Sequence, residues 1–116
     1  MPFIEVKTNK NLTSVDIENI EKEVEKHIVL LKKSKEWLMV NVISSSPLRF
    51  SASNEDCLIV EVKTYSKVNY DDANKFSKAI TDFISLNYNI KKRLNFFLQQ
   101  YYYQAVLLSL QLHYDN

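Results

Sequence analysis

The sequence predicts an α+β fold in which two tandem β-α-β units form a four-stranded sheet with two helices on one face. The first observation is a repeat, because residues 5–8 (EVKT) recur as residues 61–64, an offset of 61 − 5 = 56 residues. The second is that the same offset relates the apolar faces of two predicted helices. Ile17, Ile20, Val24 and Ile28 correspond to Ala73, Phe76, Ile80 and Ile84. A right-handed crossover makes the two strands of each unit parallel.

The first unit begins with a strand over residues 1–8 and continues with a helix capped by Thr13 or Ser14. Apolar residues at three- and four-residue steps carry this helix to Leu31. Glutamates in its first half and lysines at its end suit the helix dipole. Residues 37–43 predict the second strand, and residues 48–50 a short extended piece.

The second unit begins with a strand over residues 57–64. A helix opens at residues 69–72 and ends at Asn87 or Asn89, and residues 94–98 predict the fourth strand. The C-terminal residues 106–112 are too apolar for a free tail and predict a fifth strand or a helical turn.

Two features of this pattern predict self-association. The strand over residues 57–64 has Leu58 and Val60 on one side and Ile59 on the other, so the sheet face without helices is partly apolar. The apolar C-terminal run could be buried by pairing with the sheet of a neighbouring subunit.

The composition excludes several classes of protein. At 116 residues the chain is expected to be a single domain, 1–116, and its net charge of +1 indicates neither a nucleic-acid nor a membrane partner. Glycine is absent, which excludes phosphate-cradling and dinucleotide-binding loops and leaves Asn or Asp for turns with positive φ. The single Cys57 excludes a disulfide framework, and neither histidine has a partner at metal-ligand spacing. We expect no cofactor, no metal and a cytoplasmic protein.

Pro2 is the candidate base. If Met1 is removed, the chain begins with a secondary amine, and a free α-amine has a pKa of about 7.7–8.0. Burial beside a cation favours the neutral form, which could accept a proton at pH 7. The alternative is that Pro2 is simply tolerated at the first position of a strand, where no N–H is needed.

Four stretches carry a resemblance to a known family: Pro2, Thr8-Asn9, Lys33 and residues 50–57. They resemble the macrophage migration inhibitory factor and D-dopachrome tautomerase family of the tautomerase superfamily, without gaps from Pro2 to about Ile90. The resemblance implies a homotrimer whose sheets surround a central channel, with active sites between subunits.

The resemblance also implies a reaction and its site residues. The reaction is keto–enol tautomerisation of phenylpyruvate-like or dopachrome-like substrates, with the nitrogen of Pro2 as base. Lys33 would bind the substrate carboxylate, although Lys32 and Lys35 compete for that role, and Tyr65 would occupy a strand-end position whose backbone also meets it. At two further pocket positions, Asn95 and Phe97 replace a tyrosine and an asparagine of the family, and Ser66 replaces a glycine.

Two functional hypotheses therefore remain open. The first is a trimeric tautomerase that acts on a small aromatic keto acid, using Pro2 and Lys33. The second is a catalytically impaired member of the family that acts as a cytokine-like or protein-interaction module, and the replacements at Asn95 and Phe97 favour it. By resemblance, a receptor partner and secretion without a signal peptide are also expectations.

Overall fold

The protein folds into two β-α-β units in a computed structural model that describes residues 2–51, 54–91 and 95–101. The elements in chain order are β1 (Phe3–Thr8), α1 (Ser14–His27), β2 (Met39–Ile43), β3 (Leu58–Thr64), α2 (Tyr70–Tyr88) and β4 (Asn95–Tyr101). Two short 3-10 turns, Ile28–Leu31 and Lys35–Trp37, connect α1 to β2.

The four strands form one mixed sheet in the order β2-β1-β3-β4. Strands β1 and β2 are parallel, as are β3 and β4, while β1 and β3 pair antiparallel at the centre of the sheet. The predicted tandem units are therefore confirmed, and the two units meet through their first strands.

Both helices pack on the same face of this sheet. Every second residue of β1 and β3 is buried there, and the helices contribute their apolar faces to the same cluster. The cluster includes Ile4, Val6, Leu58, Val60, Val62, Ile20, Val24, Phe76, Ile80 and Ile84, each at most 2% exposed. Burial of each such side chain contributes about 1.5–3 kcal/mol, so this face provides the core.

Polar side chains begin both helices close to the predicted positions. The Thr13 hydroxyl accepts from the Asp16 backbone N–H at 3.1 Å, and the Asp16 carboxylate accepts from the Thr13 N–H at 3.0 Å, which forms a capping box. The Asn69 side chain accepts from the N–H groups of Asp71 and Asp72. Asn89, with φ of 57°, follows the last helical residue of α2.

The connection from α1 to β2 differs from the prediction. The α-helix ends at His27, and a 3-10 turn continues to Leu31 before Lys32 reverses the chain with φ of 59°. The second strand starts two residues later than predicted, because the Ser34 hydroxyl accepts from the Glu36 N–H and fixes a turn there. Strand β2 consequently begins at Met39.

Three other boundaries also differ. Strand β3 begins one residue later than predicted. Strand β4 extends to Tyr101, because it pairs with β3 along its whole length. Residues 48–50 form no strand. The apolar run over residues 106–112 lies outside the described residues.

The expectation that Asn or Asp would supply positive φ holds for Asn89 and is wrong elsewhere. Lys32, Ser45 and Ser51 also have φ values between 54° and 59°. A left-handed conformation costs such residues about 1–2 kcal/mol, which the surrounding contacts must offset. At Ser45, for example, the backbone N–H donates to the Lys10 carbonyl at 2.9 Å.

The sheet face without helices is half-exposed and carries both charged and apolar side chains. Glu5 and Glu61 lie directly opposite each other across β1 and β3, and each is near a lysine of its own strand, Lys7 at 3.8 Å and Lys63 at 3.4 Å. The Lys63 ammonium also lies 5.3 Å from the centre of the Phe3 ring. The charges of this face are therefore balanced within the subunit. Its apolar part in β1, β2 and β3 consists of Phe3, Met39, Ile43 and Ile59.

Within the described residues, neither helix has the length and apolar character required to cross a bilayer. In the same residues, no three side chains of His, Cys, Asp or Glu are grouped closely enough to hold a metal ion.

Candidate functional site

The start of β1 and the end of β3 lie together at one edge of the sheet, by which we mean the side where strands begin or end and not an outer strand. Pro2 precedes β1, is buried, and accepts from the Met39 backbone N–H at 3.0 Å through its carbonyl oxygen. Phe3 pairs with Lys63 in the antiparallel register, so Pro2 lies beside Thr64, with neighbouring strands about 4.8 Å apart. The backbone of Tyr101 pairs with Thr64 from the other side. The predicted base therefore lies at an edge where three other strands begin or end.

Lys33 reaches the same edge from the helical layer. Its Nζ donates a hydrogen bond of 2.6 Å to the hydroxyl of Ser66, two residues after the end of β3. Lys32 and Lys35, the two competing candidates, are exposed. Burial lowers the pKa of Lys33 below its ordinary value, because desolvation disfavours the ammonium form. Of the three lysines, Lys33 is the one that the structure brings to the end of β3.

The turn after β3 holds Tyr65 and Ser66 in place. The buried Thr64 hydroxyl donates to the Ser66 carbonyl at 2.6 Å, which fixes the backbone on both sides of Tyr65. Tyr65 is half-buried and lies between the strand and the serine that contacts Lys33. The structure thus brings Pro2, Lys33 and Tyr65 to one edge.

Asn95 and Phe97 lie elsewhere in the same subunit. The backbone of Asn95 pairs with Leu58 and that of Phe97 with Val60, whereas the Pro2 edge is reached at Thr64. At about 3.3 Å per residue, Asn95 is roughly 20 Å and Phe97 roughly 13 Å along the strand from that edge. The described strands therefore hold these two positions away from Pro2. A site that includes all five predicted residues would therefore require a second subunit.

Ser66 is the residue whose role sequence reasoning missed. It was recognised only as the replacement for a glycine, although a hydroxyl next to the strand-end Tyr65 was a visible signal. The partner of this hydroxyl is 33 residues away in the sequence, so only the fold identifies the contact.

A polar cavity of about 310 Å³ lies at the opposite edge, where β3 and β4 begin. Its lining residues are Asn54, Glu55, Asp56, Asn89 and Lys91. Lys91 is 3.2 Å from the Glu55 carboxylate, and Lys10 is 3.3 Å from that of Asp56. Both carboxylates of the cavity therefore already contact a lysine, and the cavity contains none of the predicted site residues.

Comparison with known families matches residues 1–98 to the model of macrophage migration inhibitory factor. No curated protein gives a significant match.

Solved structures of such proteins share the fold. The macrophage migration inhibitory factor-like protein of Entamoeba histolytica has a TM-score of 0.82 at 13% identity, covering 99% of this chain and 96% of that chain. The homologue of Prochlorococcus marinus has a TM-score of 0.75 at 19% identity, covering 84% and 85%. The factor of Toxoplasma gondii has a TM-score of 0.74 at 16% identity, covering 84% and 86%. At such identities these likenesses show the fold alone, whereas the family model matches most of the sequence. The chain belongs to the macrophage migration inhibitory factor family.

Proposed function

We propose that this protein is a keto–enol tautomerase of phenylpyruvate-like or dopachrome-like substrates, with Pro2 as its base. Members of the family are typically tautomerase isomerases, which supports the reaction class. The observation that carries the proposal is the sheet edge where Pro2, Tyr65 and the Lys33–Ser66 hydrogen bond lie together.

The proposed reaction moves one proton. After removal of Met1, the neutral amine of Pro2 takes a proton from the carbon next to the keto group, which leaves an enolate. The protonated amine of Pro2 then gives this proton to the enolate oxygen, which yields the enol and restores the neutral base. The Lys33 ammonium holds the substrate carboxylate and stabilises the negative charge that develops. No cofactor takes part in these steps.

The proposal includes a homotrimer with shared sites. Asn95 and Phe97 of one subunit would complete the pocket around Pro2 of its neighbour, because they are too far from Pro2 within their own subunit. Their replacement of a tyrosine and an asparagine alters that wall of the pocket.

The altered wall supports a second candidate function, that of a catalytically impaired binding module. A receptor or other protein partner would then be the ligand, in keeping with cytokine-like activity. Measurement of turnover separates the two candidates.

The first test compares phenylpyruvate tautomerisation by the native chain and by Pro2→Gly. Intact mass first establishes that Met1 is absent from both proteins. Loss of the secondary amine should lower kcat/KM by at least about 100-fold, the lower end of the contribution of a general base. The matched control is Pro47→Gly, since Pro47 is the other proline of the chain and belongs to the segment after β2. This control should keep native activity.

The proposal would be overturned by a retained Met1, because its peptide bond removes the basic nitrogen. It would also be overturned by equal, near-background rates of the native chain and Pro2→Gly. A folded protein with that result would instead match the binding module.

A further inference from the structure

The Lys33 ammonium and the Ser66 hydroxyl have more N–H and O–H donors than their hydrogen bond to each other uses. A lysine ammonium has three N–H donors, and the one hydrogen bond found for Lys33 among the described residues goes to Ser66 Oγ at 2.6 Å. No carboxylate of those residues lies within 4.0 Å of Lys33 Nζ. Ser66 is exposed, so both groups are accessible to a ligand at the edge.

The geometry around Ser66 determines what its hydroxyl can do. Thr64 is fully buried and donates to the Ser66 carbonyl at 2.6 Å, so the backbone of Ser66 is fixed by the core. Because the Ser66 oxygen accepts the proton of Lys33, the hydrogen of the hydroxyl must point to another acceptor. Two donors then lie side by side, the Lys33 ammonium and the Ser66 O–H, and together they suit the two oxygens of one carboxylate.

We propose that Ser66 is a specificity and positioning residue of the carboxylate subsite, which holds Lys33 in place and donates its own O–H to the substrate carboxylate. This inference rests on the proposed function and adds a residue to its site. A free lysine side chain loses rotamer entropy when a ligand fixes it, so an ammonium already held by Ser66 binds an acid with a smaller penalty. The subsite therefore selects small carboxylic acids over their neutral esters.

The experiment compares Ser66→Ala with the native chain on phenylpyruvate and on its methyl ester. Turnover gives KM and kcat, and an NMR titration with phenylpyruvate gives Kd independently of turnover. We expect Ser66→Ala to raise KM and Kd for the acid about tenfold, which is 1.4 kcal/mol, with kcat changed far less. The constants for the ester should change far less, because a neutral ester oxygen is a weaker hydrogen-bond acceptor than a carboxylate oxygen.

Two variants make the result specific. Ser66→Thr keeps a hydroxyl and should restore most of the affinity for the acid. Ser77→Ala makes the same chemical change within α2 and should leave all constants at native values.

An unchanged affinity of Ser66→Ala for the acid would overturn the inference, as would an equal loss for acid and ester. Native binding without turnover, combined with weaker binding by Ser66→Ala, would support the carboxylate subsite while contradicting Pro2 catalysis. The two proposals can therefore fail separately.

Discussion

At the residue scale, sequence reasoning predicted the chemical groups but not all of their contacts. Pro2 was identified from the chemistry of a terminal secondary amine and Lys33 from a resemblance, and the fold brings both to one edge of the sheet. Residue type alone did not separate Lys33 from Lys32, and the resemblance favoured Lys33. In the structure Lys32 has a left-handed conformation. Lys32 reverses the chain after the 3-10 turn, and the next residue, Lys33, contacts Ser66.

The residues with positive φ angles also show what could not be predicted from the sequence. In a chain without glycine, Asn and Asp tolerate this region best, and Asn89 conforms. Lys32, Ser45 and Ser51 also have positive φ, although none is Asn or Asp. At Ser45 the backbone N–H donates to the carbonyl of Lys10, which is distant in the sequence. Local propensity could not predict these three turns.

At the element scale, most of the fold was encoded locally. The 56-residue repeat predicted both units, and Thr13 and Asn69 fix the helix starts by side-chain hydrogen bonds that the sequence makes visible. The start of β2 was less visible, since it depends on a turn capped by Ser34 and on the bond from the Met39 N–H to Pro2. The end of a strand that depends on pairing with another strand cannot be predicted from the residues of that strand alone.

The capping box of α1 provides a stability prediction. Thr13→Ala removes the hydroxyl that accepts from the Asp16 N–H, and should lower the free energy of unfolding by about 1 kcal/mol. Thr13→Ser keeps the hydroxyl and should be close to native. Urea unfolding at one fixed protein concentration measures both, because the stability of an oligomer depends on concentration. Equal midpoints for all three proteins would contradict the role of the cap.

At the scale of the whole molecule, the positions of Asn95 and Phe97 are the reason why we propose a pocket shared between subunits. Both residues lie in β4, toward the edge opposite Pro2 and roughly 13–20 Å away from Pro2 along the strands. The described subunit thus brings Pro2 and Lys33 to one edge, and the proposed pocket would take its far wall from a neighbouring subunit. Sequence reasoning predicted self-association from a partly apolar second face. In the structure this face carries Ile59 and other apolar side chains beside two Glu–Lys pairs.

The assembly can be tested by sedimentation across a range of protein concentrations. We expect one species of about 41 kDa, three times the 13.7 kDa chain, because the shared pocket requires neighbouring subunits. A stable species of 13.7 kDa over the whole range would contradict the shared site. A monomer that retained tautomerase activity would show that Asn95 and Phe97 are not needed.

In the proposed mechanism Pro2 acts as a neutral base while Lys33 binds the acid as a cation. The most direct test is the pH dependence of kcat/KM for phenylpyruvate, corrected for the uncatalysed reaction. The rate should rise with pH as the Pro2 amine loses its proton. It should fall again as Lys33 loses its charge, and burial lowers the pKa of Lys33, so this fall begins below the ordinary lysine value of 10.5.

Lys33→Arg identifies the alkaline limb, because a guanidinium stays charged over this range. We expect its profile to keep the rise on the acid side and to lose the fall on the alkaline side. A native profile without an acid limb, or an alkaline fall that is the same in Lys33→Arg, would contradict the account.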